Sequence, residues 1–386
     1  MSRSKLCLFL MAGVSLAVAQ VPAPKDVDIS APDGIKLRAT FFAAAKPGPA
    51  VMLLHMCNTA RKSWEPVAKE LSEKGISALT IDNRGFGESG GPRYENGTPE
   101  VQGQLQEKWP GDFDAAYQFL LSQPGVDKTR IGAGGGSCGV DNAVKLAERH
   151  PEIKTLVLLA GTTGVDGINF VARRTDMPIF TAGAADDQYN PATLKIMQWF
   201  SELSANPRAK FEGYADGRHG TEIFGPHPEL VHHVVDFFAD TLNTAPGSGA
   251  APPRKSPARE FWTLANEPGG AARAAQMFHE AREKDPKAFL FPEFPLNLLG
   301  YVRLQAGQND DAIAWFKLNA EAYPASANAQ DSLSDGYLAA GKKDLALAAE
   351  EKCLELLPAD TVSPDFKAQL RQAAEAKIAK LKAGQN

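Results

Sequence analysis

Between residues 27 and 242, short apolar runs alternate with longer segments whose apolar residues recur at helical spacing. Short buried strands that alternate regularly with amphipathic helices are typical of a parallel sheet. The pattern therefore predicts an α/β fold, a doubly wound and mostly parallel sheet with helices on its faces. The clearest predicted strands are Ala50–Leu54, Ser77–Ile81, Thr155–Leu159 and Pro178–Thr181, and the clearest helices are Trp64–Lys74, Asp112–Leu121, Val140–Arg149, Ala192–Ser204 and Leu230–Leu242.

The pattern changes at residues 243–257, where proline, glycine and other small residues replace the apolar periodicity. This composition is typical of a linker. We therefore expect one domain over residues 20–242, a linker over 243–257 and a second domain over 258–386.

The second domain is helical throughout and contains an internal repeat. A period of 34 residues, with glycine in the turn, alanine in the second helix and a closing proline, resembles the tetratricopeptide (TPR) repeat. An unrelated helical bundle is the less favoured alternative. The pairs at this spacing are Gly307 and Gly341, Ala312 and Ala346, and Pro324 and Pro358; the predicted units are Pro295–Pro324, Ser332–Pro358 and a degenerate Ala258–Pro286, followed by a solvating cap helix, Pro364–Lys382.

The N-terminus has the layout of a secretory signal peptide. Arg3 and Lys5 precede an apolar run from Leu6 to Val18, and residues 17–19 fit an A-x-A cleavage site. The run is too short for a permanent membrane anchor, and a buried N-terminal helix is the weaker alternative. We expect residues 1–19 to be removed and the mature protein to be periplasmic or secreted, with no stable membrane span.

Composition narrows the classes of function. A chain of 386 residues suits two domains, and its formal net charge of −5 gives no reason to expect a nucleic-acid partner. After signal cleavage the remaining cysteines are Cys57, Cys138 and Cys353, which are too few for a disulfide-rich scaffold and lack zinc-ligand spacing. We expect no metal and no organic cofactor.

The strongest chemical motif is Gly135-Gly136-Ser137-Cys138-Gly139, which fits G-x-S-x-G. It follows the short predicted strand Arg130–Ala133 and opens the helix that starts at Val140. A nucleophile elbow is a strained strand-to-helix turn that needs small residues two positions before and after the nucleophile. The motif therefore predicts Ser137 as a nucleophile.

A serine nucleophile needs a base and an orienting acid. Of the seven histidines, His219 lies in a loop between the predicted strand Lys210–Tyr214 and the last helix of the first domain. The acid is expected between serine and histidine in chain order, after a strand, where Asp186 and Asp187 stand. The histidines set aside because of their positions are His150, His232, His233 and His279.

In order and spacing, these motifs resemble the core motifs of the α/β-hydrolase superfamily, and most closely its dienelactone-hydrolase-like branch. The resemblance covers about residues 27–242. In such enzymes the acid is commonly the tenth residue of a proline-to-proline segment, which here runs from Pro178 to Pro191, so the resemblance implies Asp187 rather than Asp186. The segments that carry it are PAVMLLH, DNRGFGESGG, GGSCG, PIFTAGAADDQYNP and GRHG.

Dienelactone hydrolases themselves use a cysteine, which makes Cys138 a rival nucleophile. A motif centred on Cys138 would need a small residue at position 140, where Val140 stands. Ser137 has Gly135 and Gly139 in register, so we expect Ser137 to be the nucleophile.

The resemblance implies an oxyanion hole built from two backbone N–H groups. One belongs to Cys138 and the other to the loop after the third strand. Met56 stands where relatives often have glycine, so the second donor is Met56 or Cys57, and we expect Cys57. Two such donors lie close together, which makes a Cys57–Cys138 disulfide conceivable in an oxidising compartment. We favour two unbridged apolar fillers.

The resemblance implies a serine hydrolase that cleaves small or medium carboxylic esters through an acyl-enzyme. A peptidase or amidase of the same fold and a TPR interaction protein with an inert hydrolase domain are the alternatives. For the repeats, binding of a protein partner and structural packing are equally favoured. Asp82–Ser89 is interpreted as a structural loop, with Arg84 paired locally. The residues expected near an open pocket are Asn58, Arg61, Trp64 and Tyr189.

Overall fold

The computed structural model describes residues 20–243 and 252–384. The predicted signal peptide, residues 1–19, and most of the predicted linker, residues 244–251, lie outside the described residues. Within the described ranges, none of the helices has both the length and the apolar character needed to cross a bilayer.

Eight strands form one sheet in the order β1-β2-β4-β3-β5-β6-β7-β8. β2 pairs antiparallel with both β1 and β4, and all other neighbours are parallel. The predicted α/β class with a mostly parallel sheet is therefore confirmed. The strands are β1 Lys25–Ser30, β2 Lys36–Phe42, β3 Gly48–Leu54, β4 Ser77–Ile81, β5 Val126–Gly136, β6 Ile153–Leu159, β7 Ile179–Ala184 and β8 Lys210–Tyr214.

Helices cover both faces of this sheet, because successive side chains of a strand point to opposite faces. Val51 and Leu53 of β3 pack with the first and sixth helices, whereas Met52 and Leu54 pack with the second to fifth. The helices are α1 Glu65–Glu73, α2 Pro99–Ser122, α3 Cys138–Arg149, α4 Val165–Arg173, α5 Thr193–Ser204 and α6 Glu229–Asn243, with short 3₁₀ helices at Arg61–Trp64 and Gly220–Phe224.

The C-terminal part of the chain is helical, as predicted. Two helix pairs follow each other with a spacing of 34 residues: α9 and α10 begin at residues 293 and 309, and α11 and α12 begin at 327 and 343. The C-terminal helices are α7 Pro257–Ala265, α8 Gly270–Lys284, α9 Glu293–Gln305, α10 Asn309–Ala322, α11 Ala327–Ala339, α12 Lys343–Leu356 and α13 Pro364–Lys382.

The helical region packs directly on α4 and α5 of the sheet-containing region. The rings of Trp199 and Trp262 meet edge to face at 5.4 Å, and both side chains are buried. Their indole N–H groups donate to the Leu290 carbonyl at 2.9 Å and to Asn169 Oδ1 at 2.8 Å. The two regions therefore share one continuous apolar core.

Candidate active site

Ser137 occupies a strained turn between β5 and α3. Its backbone has φ 54° and ψ −123°, a conformation that non-glycine residues rarely adopt. A side chain at Gly135 would collide with the backbone of Gly139, and one at Gly139 would collide with the carbonyl of Leu54. The glycines of the motif are therefore required by close backbone contacts, as expected for a nucleophile elbow.

His219 lies at the end of the loop after β8 and is held by Asp187. Its Nδ1 lies 2.6 Å from Asp187 Oδ2, and both side chains are buried. An ionised carboxylate only accepts hydrogen bonds, so Nδ1 carries the proton and Nε2 is left as the basic nitrogen. His219 and Ser137 line the same pocket.

Asp187 is kept ionised by its hydrogen bonds. Burial alone would raise its pKa, but the hydrogen bond from His219 and the backbone N–H groups of Asn190 and Tyr189 outweigh burial and lower the pKa below its ordinary value. Asp186 has a different partner, because its Oδ1 accepts the backbone N–H of Arg218 at 2.7 Å. Of the two aspartates, Asp187 is the one that contacts His219.

The loop after β3 is held by His55, a buried residue outside the set predicted from the motifs. His55 Nε2 accepts the backbone N–H of Asn83 at 2.9 Å, so Nδ1 carries the proton and donates to the Met56 carbonyl at 2.6 Å. Burial lowers the pKa of His55 to about 4, which keeps the ring neutral. In a planar trans peptide the C=O and the following N–H point in opposite directions. Because the Met56 carbonyl points to His55, the N–H of Cys57 in the same peptide bond points away from the His55 ring.

Met56, which stands where proteins of the resembled family often have glycine, does not line the pocket. Its side chain is fully buried and its sulfur accepts the backbone N–H of Thr221 at 3.3 Å. A side chain at Gly220 would overlap this sulfur, so glycine at that position makes room for the methionine.

A disulfide joins Cys57 to Cys138, with a Cα–Cα distance of 5.8 Å. The interpretation favoured from the sequence, two unbridged apolar fillers, was wrong, because the elbow brings the start of α3 within bonding distance of the loop after β3. A bridged sulfur has no thiolate to act as a nucleophile. Cys353 is the one free cysteine among the described residues, and it is buried.

The pocket in front of Ser137 has a volume of about 440 Å³. Six of the lining residues were not expected from the sequence, because only tertiary packing brings them to the pocket: Ala160–Thr162 after β6, Asn190, and Thr193 and Ile196 of α5. The Tyr189 ring meets the His219 ring edge to face at 4.9 Å. The lining residues are Cys57, Asn58, Ser137, Cys138, Ala160, Gly161, Thr162, Tyr189, Asn190, Thr193, Ile196 and His219.

Two residues expected beside the pocket lie elsewhere. Arg61 is buried and forms an ion pair with Asp82, and Trp64 is buried and donates to the Leu54 carbonyl at 2.9 Å. Both side chains are buried within the fold, and neither lines the pocket. Asn58 and Tyr189 do line it.

Arg84 has a structural role, but its partners are distant in sequence. Its guanidinium donates two hydrogen bonds to Asp112, at 2.7 and 2.9 Å, and two to Asp33. The expectation of local pairing was therefore wrong, because α2 and the turn after β1 carry the acidic partners.

The chain matches known protein families over part of its length. Residues 112–212 match the family model described as "BAAT / Acyl-CoA thioester hydrolase C terminal". The chain is 34% identical over 133 residues to Thiohydrolase aneE of Aspergillus aculeatus, covering 34% of this chain and 40% of that protein. It is 34% identical over 150 residues to an uncharacterized protein of Mycobacterium tuberculosis, covering 38% and 50%. The chain thus spans half or less of the length of these relatives.

Two further similarities extend over more of the chain. Acyltransferase drtE of Aspergillus calidoustus is 26% identical over 237 residues, covering 56% of this chain and 74% of that protein. Among solved structures, the Pyrococcus furiosus esterase Pf2001 is 20% identical with a TM-score of 0.47, covering 57% of this chain and 92% of that one. The sheet order, the elbow and the matched family model together confirm the predicted α/β-hydrolase fold.

Proposed function

Because the chain contains a hydrolase domain of the α/β-hydrolase superfamily, we propose that it is a serine hydrolase that cleaves carboxylic esters or thioesters through an acyl-enzyme. The observation that carries the proposal is the 2.6 Å contact between His219 Nδ1 and Asp187 in the pocket lined by the strained Ser137. Together these side chains form a Ser-Asp-His triad.

In the first step, His219 Nε2 removes the Ser137 hydroxyl proton while Oγ attacks the substrate carbonyl carbon. The tetrahedral intermediate collapses as the imidazolium gives that proton to the leaving alcohol or thiol. In the second step His219 removes a proton from water as the water oxygen attacks the acyl carbon. The bond to Ser137 Oγ then breaks, the imidazolium returns the proton to Oγ, and the carboxylic acid is released. Asp187 holds the ring orientation and stabilises its charged form throughout.

The oxyanion of the intermediate is held by the backbone N–H groups of Cys138 and Cys57. Two observations support this assignment. Both residues line the pocket. The Met56 carbonyl is hydrogen-bonded to His55, so the Cys57 N–H of the same peptide bond points away from the His55 ring. The N-terminus of α3 adds a favourable dipole at the same place. No step of this mechanism requires a metal or an organic cofactor.

The range of substrates is proposed from the relatives. Several of the similar proteins are thiohydrolases by name, and the matched family model is described by acyl-CoA thioester hydrolysis, which supports thioesters beside esters. Serine attack and collapse proceed alike for both, because thiolates and alkoxides are both expelled from a tetrahedral intermediate.

Turnover measurements test the proposal. Intact protein is assayed on paired aryl esters, thioesters and amides with the same acyl group. Ser137→Ala is expected to lower ester and thioester turnover by about 10⁵- to 10⁶-fold, as for a triad that acts as a unit. Ser122→Ala, which removes an exposed serine hydroxyl, is the matched control and is expected to leave turnover unchanged. Preferred cleavage of the amides would favour a peptidase, and inactive native protein would favour an interaction protein.

Export of the protein is also proposed. The signal-like N-terminus supports it, and so does the Cys57–Cys138 bridge, because disulfides persist in oxidising compartments. We place the mature enzyme in the periplasm or outside the cell.

A further inference from the structure

A second cavity, about 640 Å³ in volume, lies between the segment after β7 and the C-terminal helices. We call it the helical groove. Its walls come from residues 189–192 on one side and from α9, α13 and the segments 322–328 and 359–363 on the other. Tyr189 and Asn190 line both the helical groove and the pocket of Ser137. The helical groove therefore adjoins the candidate active site.

The walls of the helical groove are rich in accessible aromatic surface. Tyr189, Phe294 and Phe366 are 59%, 45% and 37% exposed. They are three of the five large apolar side chains that are exposed within the described residues, and all three line this one cavity. Concentrated apolar surface in a concave site is typical of ligand binding.

The charges in the helical groove are negative. Glu293 and Asp360 line it, and none of the described residues in its walls is a lysine, arginine or histidine. The Glu293 carboxylate accepts hydrogen bonds from Ser326 and Asn328, while Asp360 accepts backbone N–H groups at the start of α11 and at Val362. A phosphate group would be repelled here, because it would meet carboxylates and no cation.

One buried acceptor in the wall of the helical groove lacks a partner. Asn297 is 8% exposed, and its side-chain oxygen has no hydrogen bond within the described part of the chain. Because that oxygen atom is itself buried, it does not face the open space of the helical groove, and a ligand there contacts the aromatic side chains instead.

Tyr189 shows which part of a substrate enters the helical groove. In acyl transfer the histidine donates a proton to the leaving group, which must therefore lie beside the imidazole. The His219 ring is in edge-to-face contact with Tyr189, and Tyr189 borders the helical groove. The leaving-group side of the pocket thus opens toward the C-terminal helices.

We propose that the helical groove binds the leaving group of the substrate, an apolar or aromatic alcohol or thiol that is neutral or cationic. Coenzyme A, with its phosphates, does not fit there. This inference rests on the proposed function of Ser137. It gives the helical region a direct part in substrate selection.

The test compares acetate esters of methanol, biphenylmethanol and hydroxybiphenylmethanol, whose leaving oxygens have similar acidity. Native enzyme is expected to prefer the two biphenyl esters. Phe294→Ala and Phe366→Ala are each expected to lower kcat/KM for these esters by about 10-fold, the usual effect of losing an apolar contact, and to leave the methyl ester unchanged. Leu345→Ala, which removes an equally exposed side chain from α12, is the matched control.

Added biphenylmethanol is expected to inhibit hydrolysis of the methyl ester by native enzyme, and to inhibit Phe366→Ala less strongly.

Thioesters test the charge argument. S-benzyl thioacetate is expected to be cleaved with a kcat/KM at least about 10-fold higher than that of acetyl-CoA. Equal or faster cleavage of acetyl-CoA would overturn the inference, as would variants that change all esters alike or none. Because the methyl ester reports on Ser137 alone, loss of its hydrolysis in native enzyme would instead contradict the proposed function.

Discussion

Asp186 and Asp187 are adjacent in the sequence but contact different groups. Asp187 contacts the imidazole of His219 at 2.6 Å, whereas Asp186 accepts a backbone N–H from Arg218. The turn after β7 decides which of the two adjacent aspartates faces the histidine. The position in the motif therefore gave only a preference for Asp187, and the geometry of the turn supplies the physical reason.

The two aspartates therefore form a matched pair for mutagenesis. Asp187→Asn is expected to lower kcat by about 10⁴-fold, because an amide that donates toward Nδ1 favours the wrong histidine tautomer. Asp186→Asn keeps an acceptor for the Arg218 N–H and is expected to change kcat by no more than about threefold. Steady-state kinetics on one ester measure both. Equal losses would contradict the assignment of Asp187.

His55, which holds the loop after β3, makes the folding stability depend on pH. Burial lowers its pKa from 6.5 to about 4, so the unfolded chain takes up a proton at a higher pH than the folded protein does. The contribution of His55 to folding stability is therefore fully present above pH 6.5 and is lost as the pH falls from 6.5 toward 4.

Replacing His55 with glutamine is expected to weaken this pH dependence. Between pH 7 and pH 4, the unfolding free energy of native protein is expected to fall by about 3 kcal/mol more than that of His55→Gln, since one pKa unit corresponds to about 1.4 kcal/mol. Urea unfolding at both pH values measures it. Parallel pH profiles for the two proteins would contradict a neutral buried imidazole.

The Cys57–Cys138 bridge links two elements, the loop after β3 and the N-terminus of α3. Both ends carry a proposed oxyanion donor, so the bridge fixes the distance between the donors. It also closes a loop with a sequence separation of 81 residues, which restricts the unfolded chain.

The double variant Cys57→Ser/Cys138→Ser is expected to lose about 4 kcal/mol of unfolding free energy, from the entropy of closing a loop of this length. Its kcat is expected to fall by about 10-fold, less than the loss of a whole oxyanion donor. Denaturant unfolding and kinetics with and without dithiothreitol measure both effects. Native protein that is insensitive to the reductant while the variant is impaired would contradict a role of the bridge itself.

At the scale of elements, the sequence predicted the central parallel strands well because each is a continuous apolar run. β8 and the cap helix α13 begin and end where expected. β1 and β2 were missed because they lie at the antiparallel edge and mix charged with apolar residues. α4 was also missed, and α2 was predicted too short because Pro110 and Gly111 lie inside it.

At the scale of the whole molecule, the sheet-containing region and the helical region share an apolar core that includes Trp199 and Trp262. The sequence predicted two domains joined by a linker and left structural packing of the repeats as one of two equally favoured roles. It did not point to this contact, since two buried tryptophans distant in sequence meet only after both regions fold. The same limitation hid the helical groove, whose walls come from both regions.

Trp262→Ala is expected to destabilise the molecule as a whole. Trp262 is 1% exposed, and truncating a buried tryptophan costs about 3–5 kcal/mol. Because its neighbours include Trp199 of α5, the catalytic region should lose stability together with the helical region. Leu345→Ala, on an exposed surface, should cost no more than about 0.5 kcal/mol.

Thermal unfolding followed by calorimetry and by loss of esterase activity measures this coupling. Coincident downward shifts of both transitions are expected for Trp262→Ala. If activity survived to the native temperature while the helical region melted early, the two regions would be independent units.

The central claim, that Ser137 is an activated nucleophile, is tested most directly by labelling the intact protein with a fluorophosphonate probe and locating the adduct by peptide mass spectrometry. The account predicts one adduct, on Ser137, that disappears in Ser137→Ala and persists in Asp186→Asn. Native protein that stays unlabelled, or an adduct that remains in Ser137→Ala, would contradict it.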